Sequence, residues 1–345
     1  MRQTPYPPLS RDRVLHLLQK LPACRIVVAG DVMLDRYLLG DTDRLSPEAP
    51  VPVVTVREHR LALGGAANVA ANVAAIGAQC QLVGIVGDDP HGRALRQELA
   101  AAGIDDRRVL SIADRPTTSK TRVLARGQQV VRIDEEVERL LEGRDLERLT
   151  EQLIEALTDA DALLLEDYNK GALAPPLIQA AMEAARRRGV PVVVDPKYRQ
   201  FFSYAGATVF KPNRRELESA LGAAVDLQHR NALPDALDRL EVDNLLVTLG
   251  ADGMVLVTKD RRITHVPSIA REVYDVSGAG DTVTAWLGTA VAAGASVMEG
   301  AILANYAAGV EVAKAGVATV SPDEVLAVHE EKYDQIGKLR RGGLI

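Results

Sequence analysis

Short apolar runs alternate with longer stretches of helical spacing along most of this 345-residue chain. Arg25–Ala29, Gln81–Val86, Ala162–Leu165, Val192–Val194, Thr208–Phe210 and Leu245–Thr248 are brief and almost wholly apolar, which predicts strands buried on both faces. Between them Ala66–Ile76, His91–Ala102, Leu146–Leu157, Pro175–Arg188 and Arg214–Leu221 carry the Ala/Leu-rich period of amphipathic helices. This alternation predicts an α/β fold: a doubly wound, mostly parallel sheet with helices on both faces. Two stretches break the rhythm, Tyr37–Leu61 and Val109–Asp134. Their strand-like runs Val51–Val56, Thr118–Leu124 and Val130–Ile133 have no helix between them and predict a small antiparallel β lid beside the core. The longest apolar run, Val283–Met298, is Ala/Gly-rich and too short for a bilayer of about 30 Å, so it reads as a buried helix.

Composition narrows the function. Lys and Arg number 41 against 47 Asp and Glu, a net charge of −6, so nothing marks a nucleic-acid or anionic-membrane partner. Cys24 and Cys80 are the two cysteines, without CxxC spacing, which excludes a disulfide scaffold or a cysteine zinc site. The proline-rich start lacks a signal-peptide core, and the expected location is the cytoplasm. Residues 1–22 read as an N-terminal tail, 23–330 as one catalytic domain with lid segments near 37–61 and 109–134, and 331–345 as a C-terminal tail. P-loop, G-x-G-x-x-G, H-E-x-x-H and G-x-S-x-G motifs are missing, which removes the commonest NTPase, dinucleotide, zinc-protease and hydrolase readings.

The most informative segment is Val273-Tyr-Asp-Val-Ser-Gly-Ala-Gly-Asp281, followed by a helix pattern. Gly278, Ala279 and Gly280 permit a tight turn whose amides, with the helix dipole, form an anion site next to Asp281. Asp281 also suits a plain N-cap. Gly64-Gly65-Ala-Ala-Asn68 precedes another helix; the glycines let a ligand approach the backbone, and Asn68 can donate to or accept from hydroxyls. A simple loop-to-helix turn fits as well. Asp31 and Asp35 follow the first strand, where open α/β sheets bind ligands, and are either sugar grips or turn carboxylates. Lys211-Pro-Asn213-Arg-Arg-Glu216 places Asn213 and Glu216 on one helix face, either for Mg²⁺ through its waters or as a capping box. Lys120, Arg122 and Arg126 have one parity, so an unbulged strand presents them together, as an anion clamp or as edge-strand protection; Lys197 or Lys170 could equally reach such an anion.

In this order these segments resemble the ribokinase-like (phosphofructokinase B) sugar kinases over roughly Arg25 to Val325. The branch acting on D-glycero-β-D-manno-heptose 7-phosphate is closer still. It shares Gly30–Tyr37 (GDVMLDRY), Ser46–Val54 (SPEAPVPVV), Gly64–Ala70 (GGAANVA), Asp167–Leu173 (DYNKGAL), Asp195–Lys197 (DPK) and Glu272–Val283 (EVYDVSGAGDTV). The resemblance implies a β lid, ATP, Mg²⁺, Asp281 as general base and the Gly278–Gly280 amides as anion hole. It implies that Lys211, Asn213 and Glu216 serve the ATP phosphates and magnesium, and that Thr248, Gly250, Gly253 and Asn305 line the nucleotide site. Asp31, Asp35, Gly64, Gly65, Asn68 and Asp167 match sugar-contacting positions. Asp275-Val276 stands where the wider family reads Asp-Thr, which argues against strong dependence on a monovalent cation. A homodimer paired through the lid is expected. No H-x-G-H is present, so the resemblance implies the stand-alone kinase without adenylyltransferase activity.

Overall fold

The computed structural model describes residues 4–5, 9–227, 229, 231–270 and 272–341. Seven parallel strands form the centre of a ten-stranded sheet. From one edge they run Asp105–Ile112, Gln79–Gly87, Arg25–Gly30, Ala162–Glu166, Val192–Asp195, Val209–Phe210 and Asn244–Thr248. Met254–Thr258 and Ile263–Val266 extend it antiparallel, and Thr4–Pro5 closes the far edge. Successive side chains of each strand part between two cores, as the period of two requires. Ile26, Val28, Leu164 and Val193 join helices Ala66–Ala75, Ala279–Ala292 and Val297–Glu311 on one face. Val27, Ala29, Leu163 and Val194 join Gly143–Ala156, Pro175–Arg188 and Ala232–Leu240 on the other. Among the described residues no helix is long and apolar enough to cross a membrane.

The lid is a second sheet of four strands, ordered Pro52–Gly65, Val32–Leu45, Ser119–Ala125, Gln128–Glu135. It consists of two antiparallel hairpins joined through one parallel pair in the middle. Its first segment begins at Val32, five residues before the expected Tyr37. Val109–Ile112, expected in the lid, instead belong to the edge strand of the main sheet.

Three other expectations are corrected. The supposed N-terminal tail contains a helix, Arg11–Lys20, capped by Ser10 and burying Val14, Leu17 and Leu18. Arg13 ties it to Glu299 through two bonds of 2.7 and 2.9 Å. The supposed C-terminal tail continues a helix that runs from Pro322 to Arg341, and 342–345 lie outside the described residues. The run Val283–Met298 is not one helix. Ala279–Ala292 ends before Gly294, and Val297–Glu311 starts under a capping box of Ser296 and Glu299.

Candidate active site

The chain runs from Arg25–Gly30 to strands on one side, then returns on the other side at Ala162–Glu166. This switch point is where an open α/β sheet leaves a crevice at its strand ends. Acidic residues collect there: Asp31, Glu166 with Asp167, and Asp195 each end or follow a buried strand. Lys211 follows Val209–Phe210. The turn Ser277–Gly280 starts the helix Ala279–Ala292 against the same edge and delivers Asp281 into it.

Asp281 is not the helix cap. Gly278 takes that position at φ 94°, a conformation costly for residues with a Cβ, and makes no side-chain cap. The Asp281 carboxylate is buried and faces across the fold. Oδ2 accepts from Asn68 Nδ2 at 2.7 Å and Oδ1 from the Tyr168 hydroxyl at 2.6 Å. Burial pushes its pKa up to about 6 against these two bonds, with Asp195 adding to the rise and Lys211 opposing it. It is therefore ionised at neutral pH yet basic enough to accept a proton. Burial and the nearby carboxylates hold the Tyr168 phenol well above its ordinary pKa, so it remains a donor.

Lys211 Nζ lies 2.9 Å from Asp195 Oδ2. A Cβ built on Gly280 would stand 3.7 Å from both atoms, which places the ammonium directly over the anion turn. Burial works against the Lys211 charge, but Asp195 and Glu166 outweigh it and raise its pKa. First-turn amides of the helix point into this space, although the Ala279 amide makes a long 3.4 Å bond to the Val276 carbonyl. Glu166, Asp195 and Asp281, all buried, bring ligand atoms within 4.8 Å of one another. Such an all-oxygen donor set suits Mg²⁺. Asn213 and Glu216 form a true capping box, with mutual bonds of 2.9 and 2.8 Å, and Glu216 also pairs with Lys197. The capping-box reading of these two residues is thus the one their bonds show.

Glu311, buried at the end of Val297–Glu311, has Oε1 3.3 Å from the position of a Cβ on Gly278. Burial, then Asp275 and Asp281, push its pKa up to about 8. A carboxyl group raised in the folded state costs no stability below its unfolded pKa and costs progressively more as pH rises towards its folded value. We therefore expect the parent protein to lose stability between about pH 4.5 and 8, and Glu311→Gln to flatten that decline. Melting temperatures at pH 5 and pH 8 check this; an equal decline in the variant would contradict it.

On one side of the Gly278–Gly280 turn a cavity of about 350 Å³ is lined by Asn213, Thr248, Gly250, Gly253 and Asn305, with Met254, Val276 and Val283 among its apolar walls. Asn305 is anchored by a 2.9 Å bond from Nδ2 to the Pro267 carbonyl. Apolar walls with a few fixed polar groups suit a nucleobase. On the other side stand Asn68 and the lid roots. Gly65, at φ 55°, caps the helix Ala66–Ala75; a Cβ there would lie 2.4 Å from the Asp31 carbonyl. A Cβ on Gly64 would press on Asp35 at 2.9 Å.

Several expected sugar contacts have other partners. Asp31 spends both oxygens on the amides of Tyr168, Lys170 and Ala172, at 2.8, 2.8 and 3.0 Å, and so shapes that loop. Asp167 is bonded by the Asn169 amide and the Tyr204 hydroxyl, each at 2.8 Å, behind the loop. Lys120 and Arg122 do share a face of Ser119–Ala125, and Arg122 meets Asp35 at 2.5 Å. Arg126 does not join them. The strand ends at Ala125, and Arg126 and Gly127, at φ 52° and 79°, make a two-residue turn that leaves Arg126 exposed and paired with Asp43.

Tyr168, Glu166 and Asp195 were not singled out from the sequence. Tyr168 lies inside the quoted segment DYNKGAL, but nothing local gave it a role, since its partner lies 113 residues away. The other two did carry one: an acid closing an apolar run, as in Leu163-Leu-Leu-Glu166 and Val192-Val-Val-Asp195, marks a strand end at the ligand crevice.

A buried base beside an anion turn, set between a nucleobase-sized cavity and a lid, defines a sugar kinase of the ribokinase-like fold. The profile described as pfkB family carbohydrate kinase matches residues 24–324, and the chain belongs to that family. It is 42% identical over 337 residues to "Bifunctional protein HldE" of Trichlorobacter lovleyi, covering 96% of this chain and 68% of that one. It is 45% identical over 319 residues to the protein of the same name from Shewanella sp. strain ANA-3, covering 90% and 65%. The chain thus spans about two thirds of these relatives' length. Among solved structures, Arabidopsis thaliana ribokinase with ribose and ATP superposes with a TM-score of 0.70 at 23% identity, covering 89% of this chain and 98% of that one. Escherichia coli phosphofructokinase-2 in complex with potassium gives 0.72 at 18%, with the same coverage. Both share the fold.

Proposed function

We propose that this enzyme uses ATP to phosphorylate the anomeric hydroxyl of D-glycero-β-D-manno-heptose 7-phosphate, giving the 1,7-bisphosphate that feeds lipopolysaccharide core synthesis in the cytoplasm. The observation that carries the chemistry is the Asp281 carboxylate, held by Asn68 and Tyr168 beside the turn that Lys211 overhangs. The choice of sugar rests on the heptose-branch motifs and on the likeness to the HldE proteins.

Asp281 takes the proton of the attacking hydroxyl, whose oxygen bonds to the γ-phosphorus as the bond to the bridging oxygen of ADP breaks. Lys211 and the first-turn amides meet the charge that spreads over the transferring group. Mg²⁺ would be held by Glu166 and Asp195, with Asn213 and Glu216 as partners for its waters, and would supply charge neutralisation for the phosphates. Asn68 and Tyr168 keep the carboxylate aimed, and each of its oxygens retains a lone pair for the hydroxyl. The test is ADP release with Mg-ATP across ribose, fructose 6-phosphate, adenosine, sedoheptulose 7-phosphate and the manno-heptose 7-phosphate. Saturable turnover with the last alone is expected; turnover with an unphosphorylated sugar instead would discard the heptose reading.

The lid is also read as a dimer surface. Leu45, Val51, Val130, Val131 and Ile133 are exposed on it, and Gln128–Glu135 is exposed throughout. A strand pair with an apolar face is poorly stable alone, and a second copy of the lid covers it. Light scattering should find a dimer in the parent and a monomer in Val131→Lys/Ile133→Lys. A monomeric parent would refute the pairing.

A further inference from the structure

We infer that Lys120 and Lys170 form the clamp for the substrate's phosphate, and that Glu136 occupies it as a resident anion which the phosphate must displace. The inference rests on the sugar-phosphate reading above and names the residues that impose it. Glu136 lies on the connector that follows the last lid strand, Gln128–Glu135. Its two oxygens reach two lysines from different parts of the fold: Oε1 lies 2.9 Å from Lys170 Nζ and Oε2 3.4 Å from Lys120 Nζ. Both ammonium groups and the carboxylate are largely shielded, with side chains 11%, 19% and 25% exposed respectively. Glu138 gives Lys170 a second acid at 3.3 Å and is itself paired with Arg199.

Two chains of contacts link this cluster to the base. Lys120 is registered against Asp35, and its Nζ is 3.7 Å from Met33 Sδ. The Met33 side chain packs where a Cβ of Gly65 would be, three residues from Asn68, which holds Asp281. In the other direction the Lys170 amide bonds Asp31, and Tyr168, two residues earlier, bonds Asp281. The ring thus closes from Asp281 through Asn68, Gly65, Met33, Lys120, Glu136, Lys170 and Tyr168 back to Asp281. A sugar whose reacting hydroxyl faces Asp281 presents its far end to the two lysines. Arg115, buried below, donates to the Lys170 carbonyl at 3.1 Å and to that of Arg139, adding fixed positive charge under the loop.

Arg122, the rival for the clamp, is already neutralised one-to-one by the buried Asp35. Glu136 differs because one carboxylate bridges two cations, the arrangement a phosphate dianion reproduces with more charge and more acceptors. Burial works to raise the Glu136 pKa, but the two lysines outweigh it and lower it, so the resident anion stays charged. A neutral sugar cannot expel it, which makes Glu136 a determinant of specificity as well as a closure of the empty site.

The experiment compares the full-length parent with Lys120→Met, Lys170→Met and Glu136→Gln. Each lysine variant should raise KM for the heptose 7-phosphate by roughly 10- to 100-fold, the loss of one charge-assisted bond, with KM for ATP within about twofold. Glu136→Gln should lower that KM several-fold. Independently of turnover, calorimetric titration with inorganic phosphate should show tighter binding to Glu136→Gln than to the parent, and loss of that gain in Glu136→Gln/Lys170→Met. A misfolded variant cannot mimic a gain in affinity, and a merely structural Glu136 would leave phosphate binding unchanged or weaker. The inference is overturned if Glu136→Gln binds phosphate no more tightly, or if both lysine variants keep the parental KM. Should the parent phosphorylate only neutral sugars while Glu136→Gln still gains phosphate affinity, the heptose reading fails and the anion site stands.

Discussion

Asp281→Asn should lower kcat by about 10²–10⁴-fold, the usual contribution of a positioned general base, while ATP still binds. The amide is nearly isosteric, and one face of it can still accept from Asn68 or Tyr168, so the cleft keeps its shape. What disappears is a carboxylate whose pKa, pushed up to about 6 by burial, makes it a competent proton acceptor. The parent's kcat should therefore fall as pH drops through about 6, because a protonated Asp281 already carries the proton it would have to take from the sugar hydroxyl. The variant's residual rate should lose that inflection. Single-turnover rates between pH 5 and 8, with nucleotide binding measured by calorimetry, check both statements; a kcat within tenfold of the parent would remove Asp281 from the role of base.

Lys211→Met should injure the enzyme twice. Removing the ammonium leaves Asp195 buried beside Glu166 without its 2.9 Å partner, and an uncompensated buried charge costs about 3–5 kcal/mol. It also removes a donor aimed at the transferring phosphoryl group, a loss of roughly 10²–10³ in kcat. The two effects separate in Lys211→Met/Asp195→Asn. Urea unfolding should recover most of the stability there, because the orphaned carboxylate is gone, while kcat should stay low. Recovery of both would mean that the lysine acts only through the pair, and recovery of neither that an orphaned Asp195 is not what destabilises the single variant.

The two catalytic predictions draw on parts of the site that were unequally legible in the chain. Ser277-Gly-Ala-Gly-Asp281 was readable because backbone freedom followed by an acid at a helix start has few physical uses. Thr248, Gly250 and Gly253, which the family resemblance alone assigned to a nucleotide site, do line one cavity together. Parity placed Lys120 and Arg122 on one face but failed at Arg126, since parity holds only inside a strand and the strand stops at Ala125. Asp31 and Asp167 were located at the crevice, but their bonds to the loop behind it were not foreseen. Whether a carboxylate faces a ligand or its own loop depends on which amides approach it, and those of Tyr168, Lys170 and Ala172 come from 137 to 141 residues away. For the fold, the alternating pattern carried the central sheet almost to the residue. The N-terminal helix was missed because prolines dominated the reading of residues 1–13, although Val14, Leu17 and Leu18 already had helical spacing.

Two of the lid's four connections to the core have no linker between them. Its first strand leaves the main sheet immediately after Gly30-Asp31, and its second returns at Gly65 straight into the helix that carries Asn68. Any tilt of the lid over the sugar therefore moves the residue that aims the base, and any strain at the base is felt in the lid. Coupling of that kind would tie sugar selection to catalytic rate. Exchanging the lid for one from a relative with another substrate would retune both together, so a new specificity would need compensating changes at Asn68 and Tyr168 before turnover returned.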